Sequence, residues 1–270
     1  MLKKLARKHL GKIRHRKSET NKYDYGNVFI FGGSVGYFGA PLLSAKAAYR
    51  CGSGLVHILV PNDLYEKFPQ TFPEVMVHPY HKIDDVGALL YKMDAVLFGP
   101  GLNPYDSRQL EILNLLLSLK KPLVIDASGL DFLKQILPVL DDGSFIVATP
   151  HTGEAERLLD TDKPERHLDM LFDKKMTVVL KDSEVLIAQR HHSFIAINGN
   201  PGMATAGTGD VLAGMILSYL GQGYKPLEAC KMAVFLHQKA ASLAEDKYGE
   251  DSMMASDIIE SLPDAIKSIK

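Results

Sequence analysis

Asn27-Val28-Phe29-Ile30-Phe31 is a short apolar run that ends in Gly32-Gly33-Ser34, the pattern of a buried strand feeding a tight turn. Ala40 to Cys51 then carries Leu42, Leu43, Ala47 and Ala48 at helical spacing and stops at Gly52, a good C-terminal cap. Leu55-Val56-His57-Ile58-Leu59-Val60 follows as a second apolar run closed by Pro61-Asn62. Strand, helix and strand in that order, joined by short turns, spell a parallel βαβ unit.

The pattern repeats downstream. Asp94 to Phe98 ends in Gly99-Pro100-Gly101, Ser107 to Leu119 reads as a helix, and Pro122-Leu123-Val124-Ile125 stops at Asp126. A helix over about Asp131 to Leu137 leads to the strand Phe145 to Ala148, closed by Thr149-Pro150-His151, and Gly153 to Leu159 turns helical again. Thr177 to Lys181 is a further strand, and Val185 to Ala188 with Phe194 to Ile197 reads as an antiparallel hairpin. Three helices close the chain: Thr208 to Leu220, Pro226 to Glu245, and Ala255 to Leu262 with Pro263 as its stop. In the first of these, Val211, Leu212, Met215, Ile216 and Tyr219 share one face, which would bury it on the sheet. The fold class is α/β, with a mostly parallel central sheet, helices on both faces and an antiparallel hairpin at one edge. Ligands of such sheets bind at the carboxyl ends of the strands, so Gly33, Ser34, Gly101, Asp126 and His151 are expected around one crevice.

Hydrophobic residues make up 46%, charged residues 23%, and the net charge of 270 residues is -1. Those values carry no bulk electrostatic demand for nucleic acid or membrane. Residues 1–22 hold nine Lys or Arg against one acid, and the remainder is correspondingly acidic. We read 1–22 as a basic arm packing on an acidic body, with an organellar presequence as the alternative, and 23–270 as a single domain. Cys51 and Cys230, both on apolar helical stretches, are expected as buried thiols of a reducing, cytoplasmic setting.

The chemistry concentrates in Asn198-Gly199-Asn200-Pro201-Gly202-Met203-Ala204-Thr205-Ala206-Gly207-Thr208-Gly209-Asp210, which runs into the apolar helix from Val211. Glycines let consecutive backbone N–H groups turn toward one point, and the helix start adds its unpaired N–H groups and positive dipole end, so an anion is bound there. Asp210 would repel that anion unless it takes a proton from a nucleophile; the plainer alternative is an acid that supports the first helical turn. A Walker phosphate loop and a dinucleotide fingerprint are both missing, as are His-x-x-x-His and Cys-x-x-Cys pairs. His237, mid-helix among apolar neighbours, reads as a core histidine. His151 sits at a strand end and reads as a binding residue. Lys181 is either a phosphate-binding point charge or a snorkelling surface lysine.

The ordered series Gly32-Gly33-Ser34, Gly39-Ala40-Pro41, Gly52-Ser53-Gly54-Leu55-Val56, Gly99-Pro100-Gly101-Leu102, Asp126-Ala127, Thr149-Pro150-His151-Thr152-Gly153-Glu154, Val179-Leu180-Lys181, Gly199 to Thr205, Gly207-Thr208-Gly209-Asp210 and His237 resembles the ADP- or ATP-dependent NAD(P)H-hydrate dehydratases of the ribokinase-like superfamily. The likeness runs from about Gly26 to Pro263. It implies a ribokinase-like domain and a lyase that restores hydrated NADH or NADPH by phosphorylating the ring hydroxyl and eliminating phosphate. It implies Asp210 as catalytic base, with Ala40, Gly101, His151 and Asp210 on the hydrated dinucleotide. Lys181, Asp182, Ser183, Glu184, Val185, Asn200, Gly207, Thr208 and Gly209 would hold the nucleotide. ADP is the implied co-substrate, with ATP as the alternative, Mg²⁺ the cofactor held without dedicated protein ligands, and a cytoplasmic homotetramer the assembly, with small molecules rather than nucleic acid or membrane as partners. Ala206, Asp182, Asn103 and Ser128-Gly129 depart from the family pattern. Ala206 restricts φ if its position is left-handed, and Asp182 brings an acid to the nucleotide segment. A vitamin-precursor kinase on the same fold is the rival reading, and a nucleotide-binding protein without turnover a more distant one.

Overall fold

A computed structural model describes residues 2–69, 72–196 and 199–270; Ile197, the last residue of the expected hairpin, and Asn198, at the head of the glycine-rich stretch, lie outside the described residues. In chain order the elements are β1 (Leu2–Lys4), β2 (Asn27–Phe31), α1 (Gly39–Arg50), β3 (Leu55–Pro61), α2 (Asn62–Tyr65), β4 (Met76–Tyr80), α3 (Gly87–Leu90), β5 (Ala95–Phe98) and α4 (Arg108–Ser118). They continue with β6 (Leu123–Ile125), α5 (Gly129–Ile136), β7 (Ile146–Ala148), α6 (Thr152–Leu159), α7 (Asp169–Asp173), β8 (Thr177–Leu180), β9 (Val185–Gln189) and β10 (His192–Ala196). The last three are α8 (Thr208–Gly221), α9 (Pro226–Tyr248) and α10 (Ala255–Lys267). One sheet holds the strands in the order β1-β10-β9-β8-β7-β6-β5-β2-β3-β4. Every neighbouring pair is parallel except β9 with β8 and with β10.

Side chains alternate across a strand, so each central strand feeds two cores. Val28, Ile30, Ile58, Leu97, Val124 and Val179 join the helices α1, α8, α9 and α10 on one face. Phe29, Phe31, Leu59, Phe98, Ile125 and Val178 join α4, α5 and α6 on the other. Burial on both faces explains why these strands read as unbroken apolar runs.

Four features differ from the sequence reading. The helix α8 is buried on all sides from Val211 to Leu220, not along one face, because α1 and α9 sandwich it over the sheet. The helix α10 runs through Pro263 to Lys267, since Pro263 forfeits one backbone bond while Ile258, Ile259, Leu262 and Ala265 are packed into the core. The edge strand β4 contains Pro79, which an edge tolerates and which hides the strand from a pattern search. The basic arm begins as β1, parallel to β10 and outside the hairpin, with Leu5 N–H donating to Ile195 C=O at 2.7 Å. Further along the arm Arg14 and Arg16 lie over the Tyr224 and Tyr25 rings. Cys51 and Cys230 are free and buried, and burial pushes the Cys51 thiol up to about 12. Among the described residues no helix is long and apolar enough to cross a membrane.

Close approach of α1 and α8 aims the latter. A Cβ at Gly214 would meet the Ser44 carbonyl oxygen at 2.1 Å, and the Ser44 hydroxyl donates to Asp210 C=O at 2.9 Å. Gly214→Ala must push the helices apart, so thermal unfolding of that variant is expected to show a loss of roughly 1–3 kcal/mol; unchanged stability would mean that the two helices have slack.

Candidate active site

Lys181 directly follows β8 and pairs in parallel fashion with His151, which follows β7. That pairing carries the Lys181 side chain into the strand-end crevice, where Nζ donates to Asp126 Oδ1 at 2.7 Å. Thr149 Oγ1 donates to the same oxygen, also at 2.7 Å, and Asp126 is 2% exposed. Glu154 Oε2 stands 4.0 Å from the ammonium and accepts from His151 N–H at 2.8 Å. His151 Nδ1 accepts from Glu154 N–H at 3.2 Å, so the two residues cap the start of α6 reciprocally. Burial works to lower the Lys181 pKa, but Asp126 and then Glu154 override it and hold the ammonium charged. Burial raises the Glu154 carboxyl against the pull of Lys181.

The second half of the site is the start of α8. Gly207 adopts φ 95° at the N-cap, a left-handed conformation that suits glycine. The first intrahelical bond runs from Val211 N–H to Gly207 C=O at 3.0 Å, so the amides of Thr208, Gly209 and Asp210 precede the helical ladder and point out of its end. A Cβ at Gly209 would stand 3.4 Å from Lys181 Nζ, which sets the fixed cation beside the helix dipole. Burial and the Asp126 charge raise the Asp210 carboxyl to about 7, with Lys181 opposing. An anion cradle, a buried cation and a carboxyl poised to exchange a proton near neutrality thus meet within one helical turn. His237 is buried beneath them, and burial lowers its pKa to about 4, leaving a neutral ring. Among the described residues its Nε2 has no hydrogen-bond partner.

Two cavities abut at Gly209 and Asp210. The first, of about 610 Å³, is lined by His151, Lys181, Asp182, Ser183, Val185, Asn200, Thr208 and Gly209, among others. The second, of about 710 Å³, is lined by Gly33, Ser34, Ala40, Gly101 and Asp210 and continues toward Asp63, Asp106 and Arg108. The residues expected on the nucleotide therefore gather in the first cavity, apart from Glu184 and Gly207, which line neither. Of the residues expected on the dinucleotide, Ala40, Gly101 and Asp210 share the second cavity, while His151 lines the first. Asn200 is committed internally, donating to Glu245 at 2.9 Å and accepting from Gly202 N–H at 2.9 Å.

The departures at Ala206 and Asp182 resolve locally. Ala206 is not among the left-handed residues, so its methyl carries no backbone strain. Asp182 accepts from Thr152 Oγ1 at 2.6 Å and from Ser183 N–H at 2.6 Å. These bonds tie its charge to the start of α6 and hold the carboxyl low. The sequence reading set Asp126 on the crevice without its ion pair to Lys181, and it missed the role of Glu154 beside that ammonium, the Ser44 anchor of Asp210 and the charged wall of the second cavity. Asp126 carried a signal, an acid terminating a buried strand; the Arg108 wall carried none.

Residues 28–264 match the family described as NAD(P)H-hydrate dehydratase. The chain is 31% identical to the bifunctional NAD(P)H-hydrate repair enzyme Nnr of Dictyoglomus turgidum, over 95% of this chain and 54% of that protein. It spans about half the length of the bifunctional relatives it matches. It is 32% identical to the ADP-dependent (S)-NAD(P)H-hydrate dehydratase of Nitrosopumilus maritimus, over 88% of this chain and 87% of that one. A ribokinase-like superfamily protein of Enterococcus faecalis superposes with a TM-score of 0.85 at 27% identity, covering 99% of this chain and 96% of its own. An ADP/ATP-dependent NAD(P)H-hydrate dehydratase of Bacillus subtilis, co-crystallized with ATP/Mg²⁺, shares the fold with a TM-score of 0.83 at 23% identity, covering 99% of both chains.

Proposed function

The chain belongs to the NAD(P)H-hydrate dehydratase family, and from that premise we propose that it returns hydrated NADH and NADPH to their reduced forms by nucleotide-dependent dehydration, with ADP as co-substrate. The observation that carries this reading is the placement of Asp210 where two cavities meet, behind an anion cradle and with its carboxyl raised to about 7. The nucleotide occupies the first cavity, its terminal phosphoryl against the amides of Thr208, Gly209 and Asp210. The hydrated nicotinamide enters the second, between Ala40, Gly101 and Asp210.

A ring hydroxyl is a poor leaving group. In the proposed sequence Asp210 takes the hydroxyl proton as the oxygen attacks the terminal phosphorus, and the nucleotide leaves one phosphate shorter. The ring nitrogen lone pair then expels phosphate with the C–O bonding electrons, and loss of a ring proton restores the double bond. Lys181 and the α8 amides stabilise the charge on the transferring phosphoryl from fixed positions, where a preorganised donor acts without reorganisation. Asp126 and Glu154 are positioning residues that hold Lys181.

Mg²⁺ fits the donor set as a cation carried by the nucleotide. Among the described residues no group of three or more His, Cys, Asp or Glu side chains forms a metal cage, and Mg²⁺ commonly keeps several waters and binds through phosphates with one or two carboxylates. Glu154 and Asp126 are the carboxylates that would take its water shell. When bound, the ion neutralises charge on the nucleotide phosphates. The proposal extends to the cytoplasmic homotetramer that the family resemblance implies, an assembly that light scattering on the purified chain would test.

Recovery of reduced-nicotinamide absorbance from hydrated NADH with Mg²⁺ and either ADP or ATP tests the reaction, ADP being the better co-substrate. No recovery with either nucleotide sinks it. Since the base must be ionised, kcat/KM is expected to rise through a pH near 7 and level off above it. A profile flat from pH 5 to 9 would remove Asp210 from the proton transfer.

A further inference from the structure

Beyond Ala40, Gly101 and Asp210, the second cavity continues along the loops that follow β2 and β5. Those strands are neighbours in the sheet, and their loops are fastened together, with Gly33 N–H donating to Pro100 C=O at 2.9 Å. A Cβ at Gly101 would collide with the Tyr37 carbonyl oxygen and stand 3.1 Å from Tyr37 Cβ, so Gly101 lets the stem of Tyr37 lie against the nicotinamide end. Among the described residues ten large apolar side chains are exposed, and three of them, Val35 at 69%, Tyr37 at 65% and Tyr105 at 91%, line this one cavity. Exposed apolar residues scattered singly are ordinary, whereas a cluster of them around a cavity marks a binding surface.

The two tyrosines stand on fixed backbone. Tyr37 N–H donates to Ser34 C=O at 2.8 Å, and the next residue, Phe38, packs edge-on against Phe68 at 5.5 Å between ring centroids. That contact anchors the loop and leaves Tyr37 at the cavity. Tyr105 N–H donates to Asn103 Oδ1 at 3.0 Å, and Asp106 N–H donates to Asn103 C=O at 3.2 Å. Among the described residues neither ring stacks on another aromatic ring. A tyrosine on ordered backbone offers a large flat face and has only two side-chain torsions to immobilise when a ligand covers it.

We propose that Tyr37 and Tyr105 form an aromatic mouth on the second cavity that stacks on the adenine of the dinucleotide substrate, the half that takes no part in the reaction. Hydration breaks the conjugation of the nicotinamide and puckers it with sp³ carbons, so adenine is the intact flat ring left in the substrate. Stacking reads the face of the base and not the 2′ position of its ribose, so the hydrates of NADH and NADPH gain alike. What the mouth selects is a dinucleotide over a mononucleotide. This rests on the dehydratase reading above, so its test includes a measurement that turnover does not gate.

The first readout is the ratio of kcat/KM for hydrated NADH to that for hydrated, reduced nicotinamide mononucleotide, which lacks the adenosine half. Wild type is expected to favour the dinucleotide by about 5- to 100-fold, the range for one base stacked on an aromatic ring. Tyr37→Ala and Tyr105→Ala should each narrow that ratio severalfold, and the double alanine variant should bring it near parity. Tyr105→Phe, which keeps the ring and drops the hydroxyl, should hold the wild-type ratio, and NADPH hydrate should follow NADH hydrate throughout. A ratio unmoved by the double alanine variant, or a phenylalanine variant as poor as alanine, would overturn the assignment. The second readout is calorimetric binding of unhydrated NADH and of reduced nicotinamide mononucleotide to the full chain, with excess ADP occupying the first cavity, expected to show the same order and the same losses. If no hydrate turns over, the dehydratase reading alone fails and the calorimetry still decides the mouth. NADH that binds no better than the mononucleotide, or equally well to wild type and the double alanine variant, overturns the proposal whatever the activity.

Discussion

Asp210→Asn is expected to lower kcat/KM by about 10²–10⁴-fold, the usual worth of a positioned general base, while nucleotide affinity and the fold stay as they are. At 1.36 kcal/mol per decade this is about 3–5 kcal/mol of barrier. Asparagine keeps the shape, the helix start and the Ser44 hydrogen bond to the Asp210 carbonyl, since that bond uses backbone. What it loses is the ability to take a proton. Full activity in the variant would mean that the hydroxyl proton leaves by another route.

The same substitution makes an opposite prediction for stability. The Asp210 carboxyl stands at about 7 in the folded protein against a reference value of 3.8. A raised carboxyl favours the folded state fully below the unfolded value and loses that contribution as pH rises through the folded one. Wild-type protein therefore pays for a buried charge at pH 8, and Asn does not. Asp210→Asn is expected to unfold at a higher temperature than wild type at pH 8, by on the order of 2 kcal/mol. The gap should narrow as pH falls from 7 toward 4. A variant that gains stability while losing turnover is the signature of a strained catalytic group; a mere helix-capping acid would lose stability on substitution and keep its turnover.

Lys181→Met should be the most destabilising single change at the site. It leaves Asp126, which is 2% exposed, and the largely buried Glu154 without their shared cation. Breaking a buried pair by removing one partner costs about 3–5 kcal/mol, and at roughly 2–4 °C per kcal/mol for a chain near this size the melting temperature should drop by on the order of 10 °C. Adding Asp126→Asn to Lys181→Met should restore most of the loss, because the uncompensated charge goes with it. Activity stays low in both, so the double variant separates the structural role of the ion pair from the role of the ammonium at the phosphoryl group. A Lys181→Met protein that melts within a degree or two of wild type would mean that the pair is solvated and that Lys181 is held by something else.

Much of the site was legible because strand ends advertise themselves. A buried parallel strand is an apolar run, and where Gly, Asp or Thr-Pro-His interrupts it the chain has left the core, so Gly101, Asp126 and His151 were placed on the crevice by punctuation alone. The Gly207-Thr208-Gly209-Asp210 stretch declared itself because small residues precede a long apolar helix. His151 shows where such reading stops. Its side-chain nitrogen is occupied by the α6 start, and it lines the first cavity, beside Lys181, a neighbourhood set by the parallel bridge between two strand ends thirty residues apart. The start of β1, with Leu2, Lys3 and Lys4 all exposed, shows no alternation to find; only the unpaired edge of β10 makes it a strand.

Local apolar period and turn chemistry, which act between residues a few positions apart, were enough to determine a doubly covered parallel sheet and the residues at its strand ends. What only the tertiary structure decided is charge: that Lys181 neutralises Asp126 across 55 positions of sequence, that burial and the Asp126 charge raise the Asp210 carboxyl to about 7, and that Arg108 of the second cavity pairs with Asp106. Desolvation and Coulomb energy depend on burial and on distances of a few ångström between side chains remote in the chain, and neither quantity exists until the chain has folded.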